Sequence, residues 1–218
     1  MPFPNPLSGP LSGPLSGRAP ARDRAPVSGR LTRRAFLRRV GLALCLASAP
    51  ALALSAPQGA MLVCYYSRTG NTRAVAQAIH RRVGGDLLEL TTARPYPAEY
   101  EALTRLAKDE QRTGARPALG VDVPDMGRYG TIFLGFPNWW GTMPMLFFTL
   151  LEACDTSGKQ IIPFCTHGGS ALGNAPRDLK RLCPRATVHE GLAVRGTAAA
   201  TAQATVDAWL GRLGLYAP

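Results

Sequence analysis

The stretch Met61–Thr72, which reads MLVCYYSRTGNT, decides the fold. Its first six residues are all apolar or aromatic, which is typical of a strand buried on both faces of a sheet. A short polar loop with one glycine follows, and then the run AVAQAI places apolar side chains at helical spacing. The stretch therefore predicts a buried strand, a tight loop and a helix start. A helix start presents unpaired backbone N–H groups, so this junction is a candidate phosphate-binding site.

Strand and helix patterns continue to alternate toward the carboxyl end of the chain. After the first strand at Met61–Tyr66, further strands are predicted at Asp86–Leu90, Thr131–Phe136, Gln160–Cys165 and Thr187–Val194. The predicted helices begin near Thr72, Ala98, Met145, Arg177 and Ala198, and the second of them reads as polar and exposed. The alternation predicts an α/β fold, a doubly wound parallel sheet with helices on both faces. Ligands of such sheets bind beyond the carboxyl ends of the strands.

Pro163 is the one residue that counts against this strand pattern. A proline cannot donate to a strand ladder, so it argues against a central strand unless a bulge absorbs the missing donor. The apolar residues on both sides of Pro163 still favour a strand.

Loop one is the polar segment after the first strand. Its hydroxyl and amide side chains, together with backbone N–H groups, can surround a terminal phosphate, and its glycine lets the backbone approach closely. It lacks the Gly-Lys-Ser/Thr of a Walker loop, and one glycine is too few for the dinucleotide fingerprint. An ordinary capped helix is the alternative interpretation. The candidate ligands are Ser67, Arg68, Thr69, Gly70, Asn71 and Thr72.

Loops two and three follow the next two buried strands. Two adjacent tryptophans cannot both face the core, so at least one is expected at the surface or against a flat aromatic ligand. A contact with another loop or subunit is the alternative. Loop three lacks the last glycine of the G-x-S-x-G nucleophile elbow, so an esterase site is not predicted. The candidate residues are Pro137, Asn138, Trp139, Trp140, Gly141 and Thr142 in loop two, and Thr166, His167, Gly168, Gly169 and Ser170 in loop three.

Together the three loops resemble those of the flavodoxin family. The segments YYSRTGNT, IFLGFPNWWGTMP and PFCTHGGSALGN carry this resemblance, which spans about Met61 to Leu213 and is strongest toward short single-domain bacterial members. It implies a five-stranded parallel sheet in the order 2-1-3-4-5 and one noncovalent FMN. Loop one then holds the FMN phosphate, and loops two and three border the isoalloxazine ring. A backbone carbonyl in loop two, at Gly141, is expected to accept a hydrogen bond from the reduced flavin.

The charge of the chain is unevenly distributed. The formal charge is +11, of which the residues before Pro57 carry +7, from eight Arg and one Asp, and the rest of the chain +4. Flavodoxins are usually acidic, and negative charge near the flavin opposes its anionic reduced form. We therefore expect a higher potential than in acidic flavodoxins. No long run of Lys and Arg with interleaved aromatics occurs after Pro57, so nucleic-acid binding is not predicted.

The region before residue 60 reads as a leader in two parts. Residues 1–30 are rich in Pro, Gly, Ser and Arg and are expected to be disordered, while residues 60–218 form the predicted flavodoxin-like domain. Residues 31–56 contain Arg33-Arg34-Ala35-Phe36-Leu37 before an apolar run, which resembles a twin-arginine export signal. A cleaved signal and a periplasmic or otherwise exported protein are expected, with the twin-arginine machinery as partner. An uncleaved leader that anchors the protein in a membrane is the alternative.

The cysteines do not predict a metal site. No CxxC pair occurs, and no His stands at zinc-ligand spacing. Cys64 and Cys165 lie in apolar runs and are expected to be buried. Cys154 and Cys183 fall near predicted helix ends, where an oxidising compartment would allow a disulfide.

Electron transfer through FMN, between a donor and an acceptor that the sequence does not name, is the function that these patterns favour. The flavin performs the redox chemistry, so no catalytic side chain is predicted. An FMN-dependent NAD(P)H or quinone oxidoreductase on the same fold is the first alternative. A binding protein that keeps the fold without flavin is the second.

Overall fold

The computed structural model describes residues 59–215, and the expected leader segments at 1–30 and 31–56 lie outside the described residues. The strands are β1 Ala60–Tyr65, β2 Asp86–Glu89, β3 Tyr129–Pro137, β4 Gln160–His167, β5 Thr187–Val188 and β6 Leu192–Arg195. The helices are α1 Asn71–Val83, α2 Tyr100–Thr113, α3 Leu146–Ala153, α4 Ala175–Leu182 and α5 Gln203–Arg212. All strand pairs are parallel, in the order β2-β1-β3-β4-β5 with β6 also beside β4. The predicted fold class and strand order are confirmed.

The sheet is buried on both faces, as the apolar run of β1 predicts. Along that strand, Leu62 and Cys64 join one core cluster, whereas Val63 and Tyr65 join the other. Helices α3 and α4 cover the first face, and helices α1 and α5 cover the second. This division follows from the alternation of side chains along a strand.

The position of Pro163 is explained by a break in the neighbouring strand. Pro163 lies within β4 and pairs with Leu134 of β3 on one side. On the other side, the N–H of His189 donates to the carbonyl of Ile161 at 2.9 Å, so the backbone groups of every second β4 residue face β5 and β6. The missing donor of Pro163 therefore faces the gap between β5 and β6. The single predicted strand Thr187–Val194 is thus two short strands. Because Pro163 faces the gap between them, no ladder hydrogen bond is lost for want of its N–H.

One further prediction needs correction. The last predicted helix, from about Ala198, is a 3-10 turn at Gly196–Thr201 followed by α5. Cys154 and Cys183, whose disulfide state the sequence leaves open, are free thiols in the structure, and each caps the end of a different helix, α3 and α4. Cys64 and Cys165 are buried, and burial raises the pKa of Cys165 to about 12.

Two features are absent from the described residues 59–215. No helix there is long and apolar enough to cross a membrane. No three or more His, Cys, Asp or Glu side chains in the same range stand close enough together to hold a metal ion.

Candidate cofactor-binding site

A cavity of about 510 Å³ opens at the carboxyl ends of the strands, and we call it the main cavity. All three predicted loops contribute to it, which agrees with the rule that ligands bind at this edge of a parallel sheet. The predicted residues that line it are Arg68, Thr69, Asn71, Thr72, Pro137, Asn138, Trp139, Thr166, His167 and Gly168. Five further lining residues were not predicted: Tyr100, Leu103, Arg195, Gly196 and Thr197.

Loop one delivers the amino end of α1 to the main cavity without a side-chain cap. Gly70 precedes the helix with a φ of 89°, no side chain caps it, and no acidic residue occupies the first turn. The first backbone N–H of this region with a helical partner is that of Ala74, which donates to the carbonyl of Gly70. The preceding N–H groups are therefore free to bind an anion, and the helix dipole favours one.

Ser67 is a second group at this loop that lacks a hydrogen-bond partner, after the free N–H groups at the start of α1. Its hydroxyl oxygen is buried and has no hydrogen-bond partner, although buried polar groups are nearly always satisfied. Beside it, the Arg68 guanidinium donates to the carbonyl of Ala98, which holds this cation at the rim of the loop. An uncapped helix end, an orphaned hydroxyl and a guanidinium together fit a phosphate group.

Loops one and three are joined at the floor of the main cavity. The hydroxyls of Thr72 and Thr166 lie 2.8 Å apart, and both side chains are buried. His167, at the end of β4, places its Nδ1 in a buried position without a partner. Burial and the nearby Arg195 lower the pKa of His167, which keeps the imidazole neutral at pH 7. A neutral Nδ1 without a partner is therefore available to a ligand.

The electrostatic character of the main cavity is cationic. Arg68 and Arg195 line it, and none of its lining residues is Asp or Glu. Arg195 ends β6 and donates to the carbonyl of Gly168 at 3.4 Å, which ties the last strand to loop three. This charge suits an anionic ligand. The sequence signal for Arg195 is its place at the carboxyl end of the last strand, where the same rule that selected the three loops applies.

Loop two forms a tight hairpin whose two tryptophans separate. The N–H groups of Trp139 and Thr142 donate to each other's carbonyls, at 2.9 and 3.1 Å, and Trp140 and Gly141 both have positive φ. Positive φ at both central residues is the pattern of a type I′ turn. Trp139 points inward and contacts Tyr66 and Tyr96 edge to face, with ring centroids 5.6 and 5.0 Å away. Trp140 is 47% exposed, so the expectation that one tryptophan lies near the surface is confirmed.

Several predicted site residues do not line the main cavity. Trp140 turns toward α2, where its Nε1–H donates to the carbonyl of Thr104 at 3.0 Å. The Thr142 hydroxyl donates to Asp178 at 2.7 Å, and the Gly141 carbonyl accepts from the N–H of Asn174 at 2.6 Å. The Gly141 carbonyl thus has one partner within the protein, and its expected hydrogen bond from the reduced flavin stays a prediction. Ser67, Gly70, Gly169 and Ser170 also lie outside the lining, although Ser67 and Gly70 shape the phosphate end.

The helix α2 has a larger role than the predicted polar and exposed helix. Leu103 and Ala107 are buried, and Tyr100 and Leu103 line the main cavity. The N-cap is Glu99, whose carboxylate accepts from the N–H groups of Glu101 and Ala102 at 2.7 and 2.6 Å. This cap fixes the first turn, and Tyr100 at its start remains 71% exposed at the rim of the cavity.

Comparison with known proteins gives consistent results. The sequence model of the flavodoxin family matches residues 60–213. A candidate flavoprotein from Bacteroides eggerthii is 31% identical, with a TM-score of 0.63, and the match covers 72% of this chain and 98% of that one. One from Bacteroides uniformis is 30% identical, with a TM-score of 0.62, and the match covers 70% and 98%. A Lactobacillus acidophilus flavoprotein in complex with FMN is 22% identical, with a TM-score of 0.55 and coverage of 67% and 99%. Among curated proteins there is no match.

Proposed function

Because this chain belongs to the flavodoxin family, we propose that it is an exported FMN protein whose function is electron transfer. Bound FMN supplies the redox chemistry, and the residues of the chain bind it, orient it and set the charge around it. The uncapped start of α1, with Ser67 and Arg68, holds the phosphate. Residues 137–139 and 166–168 border the ring.

One observation carries this proposal. Two buried polar atoms have no partner, the Ser67 hydroxyl oxygen in loop one and His167 Nδ1 in loop three. Orphaned buried polar atoms are rare in folded proteins, because each costs about 1–3 kcal/mol when unsatisfied. A ligand that carries both a phosphate and hydrogen-bonding ring atoms has groups that suit both loops. FMN has this construction, and the FMN complex of the Lactobacillus acidophilus flavoprotein has the same fold.

The test is to purify the full chain and record its visible spectrum. We expect a yellow protein whose flavin is released on denaturation and is identified as FMN by chromatography. A colourless protein that takes up no added FMN would contradict the proposal and favour the flavin-free binding protein.

An FMN-dependent NAD(P)H or quinone oxidoreductase is the second candidate. A smaller, uncharged cavity beside the main cavity favours it, because an enzyme needs room for a substrate next to its cofactor. Steady-state turnover of NADH with a quinone would favour the enzyme. Exchange of electrons with a one-electron reagent, without turnover of NADH, would favour the carrier.

The proposed export rests on the twin-arginine pattern at Arg33-Arg34 and the apolar run after it. It places the protein in the periplasm or outside the cell, with the signal removed. Anchoring by an uncleaved leader remains the alternative. The twin-arginine machinery carries folded proteins, so this route is compatible with a chain that takes up its flavin in the cytoplasm.

A further inference from the structure

Two free thiols, those of Cys154 and Cys183, lie at the ends of neighbouring helices. Cys154 follows the last residue of α3, Cys183 follows that of α4, and α3 contacts α4. Both helices cover the same face of the sheet, where Cys183 belongs to the core cluster and Cys154 packs against that cluster. The fold therefore brings two cysteines that are distant in sequence to the carboxyl ends of two packed helices.

The segments that follow the two cysteines are held side by side. The backbone N–H of Gly158 donates to the carbonyl of Arg185 at 2.9 Å. Burial raises the pKa of the Cys183 thiol, and a contact from the side chain of Thr156 partly lowers it. A residue two positions after Cys154 thus contacts the Cys183 thiol, so the two cysteines are neighbours in space.

Cys154 is the accessible thiol of the pair. It is partly exposed and lines a cavity of about 600 Å³ at the amino ends of β3 and β4, which we call the lower cavity. Cys183 is 1% exposed and does not line the lower cavity. Burial and then the charge of Cys183 raise the pKa of Cys154, and the charge of Lys159, which also lines the lower cavity, lowers it. A reagent in solution therefore reaches Cys154 before it reaches Cys183.

Cys64 is a less suitable partner for Cys154. Burial and then the charge of Cys154 raise the pKa of Cys64, so this third thiol also lies near Cys154. Cys64 is held within β1, however, whose backbone pairs with β2 on one side and with β3 on the other. Cys154 and Cys183 each follow the end of a helix, where the chain can adjust to the specific geometry of a disulfide.

We propose that Cys154 and Cys183 form a disulfide bond after export, by exchange with a disulfide compound of the oxidising compartment. In the first step the Cys154 sulfur bonds one sulfur of the oxidant, whose other half leaves as a thiol with the proton of Cys154. In the second step the Cys183 sulfur displaces the remaining half of the oxidant from Cys154, and this half leaves as a second thiol with the proton of Cys183. Two electrons and two protons thus pass from the protein to the oxidant. This inference rests on the proposed export, because cytoplasmic thiols are kept reduced.

The bond encloses the part of the chain that carries loop three. Residues 155–182, between the two cysteines, contain β4, loop three and α4. Closing this loop restricts the unfolded chain, so the folded protein gains stability. The bond lies near the amino ends of the strands, whereas the main cavity is at their carboxyl ends. We therefore expect the bond to stabilise the protein and to leave its affinity for FMN unchanged.

The experiment treats the reduced full-length protein with oxidised glutathione and maps its disulfides by mass spectrometry of tryptic peptides. Lys and Arg residues separate Cys64, Cys154 and Cys183, so trypsin places them on different peptides. We expect one bond, between Cys154 and Cys183, and a protein mass lower by two hydrogen atoms. The urea midpoint of the oxidised protein should lie about 1 M or more above that of the reduced protein. A bond between Cys64 and Cys154, no bond, or equal midpoints would overturn the proposal.

Two variants test the order of the steps. In Cys183→Ala one glutathione should remain on Cys154, because the second step is lost, whereas in Cys154→Ala no glutathione should appear on Cys183. Cys165→Ala, at another buried thiol in the same core cluster, is the matched control and should form the bond as the wild type does. Glutathione on Cys183 in Cys154→Ala, or loss of the bond in Cys165→Ala, would overturn the proposal. A chain that forms the bond in vitro but stays in the cytoplasm would contradict the proposed export alone, so the two failures are distinguishable.

Discussion

At the scale of single residues, the burial of a polar atom that has no hydrogen-bond partner marks the candidate site more clearly than the type of residue does. Ser67 and His167 are ordinary residues in the sequence, but in the fold each has a buried polar atom without a partner. His80 also carries a ring nitrogen, which instead contacts the carbonyl of Gly85 at 3.0 Å. The difference lies in the surroundings of the side chain, because only burial makes a missing hydrogen bond costly.

Ser67→Ala tests the orphaned hydroxyl. Removing an unsatisfied buried group should leave the free energy of unfolding of the FMN-free protein unchanged or slightly raised. The affinity for FMN should fall about tenfold or more, since hydrogen bonds to charged groups contribute about 1.5–3 kcal/mol. Chemical denaturation and FMN titration measure the two effects. Ser157→Ala, at a hydroxyl that bonds Asp155, is the control and should leave FMN affinity unchanged. A fall in stability together with unchanged FMN affinity in Ser67→Ala would contradict the assignment.

His167 should titrate below its ordinary value. Burial first, and then the charge of Arg195, lower its pKa from 6.5. Since the unfolded chain binds the proton more tightly, the free energy of unfolding should fall as the pH drops below about 6.5. In NMR titrations of the FMN-free protein, Arg195→Gln should raise the pKa of His167. The pKa of His189, which burial alone lowers, should not move and serves as the control. An unchanged His167 midpoint in Arg195→Gln would contradict the coupling.

At the scale of elements, the strand beside β4 shows how one residue can interrupt a neighbouring strand. Pro163 cannot donate toward the last strand, and the chain is interrupted there at residues 189–191. Gly191 fits into the gap because a Cβ at this position would lie 2.9 Å from both the carbonyl oxygen and the Cγ of Pro163. The proline in β4 and the glycine in the gap are therefore two parts of one structural feature.

Gly191→Ala should destabilise the protein by about 1–3 kcal/mol, the usual cost of overpacking. The new methyl group would also lie 2.7 Å from Leu172 Cδ1, so the crowding involves loop three as well. Urea denaturation of the FMN-free protein measures the change. Gly169→Ala is the control, since its Cβ would meet no atom within 4 Å. If the two variants proved equally stable, the close packing between Gly191 and Pro163 would be wrong.

At the scale of the whole molecule, the net positive charge of the chain is unevenly distributed, and part of it lies at the main cavity. Residues from Pro57 onward carry a net +4, with 17 Lys and Arg against 13 Asp and Glu. The main cavity concentrates this excess, because it contains two Arg and no carboxylate. The cationic surroundings favour an anionic ligand and the anionic reduced form of a flavin.

The two-electron potential of bound FMN should therefore lie above that of acidic flavodoxins. Replacing Arg195 with Glu should lower it, because a carboxylate at the cavity opposes negative charge on the reduced ring. A redox titration of the FMN-loaded protein measures the change, and Arg112→Glu, in the last turn of α2 and outside the cavity lining, is the charge-matched control. Equal shifts in the two variants would show that net charge, and not the cavity, sets the potential.

Export should depend on the paired arginines. Replacing both Arg33 and Arg34 with Lys keeps the charge of the leader and should retain the protein in the cytoplasm, because the twin-arginine pattern is lost. Cell fractionation of the host shows where the variant protein is found. The same replacement at Arg22 and Arg24, outside the pattern, is the control. Continued export of the Arg33 and Arg34 variant would contradict the proposed route.

The order of elements followed from the sequence alone, because buried strands and amphipathic helices have different periods. The apolar run at Met61–Tyr66, the loop that follows it and the alternation of later elements are local properties, so the parallel sheet and its ligand-binding edge could be predicted. The three loops were identifiable for the same reason, since each follows a buried strand.

Contacts between distant segments were decided only by the tertiary structure. Tyr100 reaches the main cavity from α2, and no local pattern distinguishes it from other surface residues, whereas Arg195 lies at a strand end, where the rule for ligand sites applies. The separation of Trp139 from Trp140 depends on a turn with two positive φ values, which the sequence Trp-Trp-Gly does not favour. The sequence by itself therefore determined the strand, the loop and the helix start that form the candidate phosphate site. The tertiary structure decided what lies beside it, because burial and charge at that place come from residues far apart in the chain.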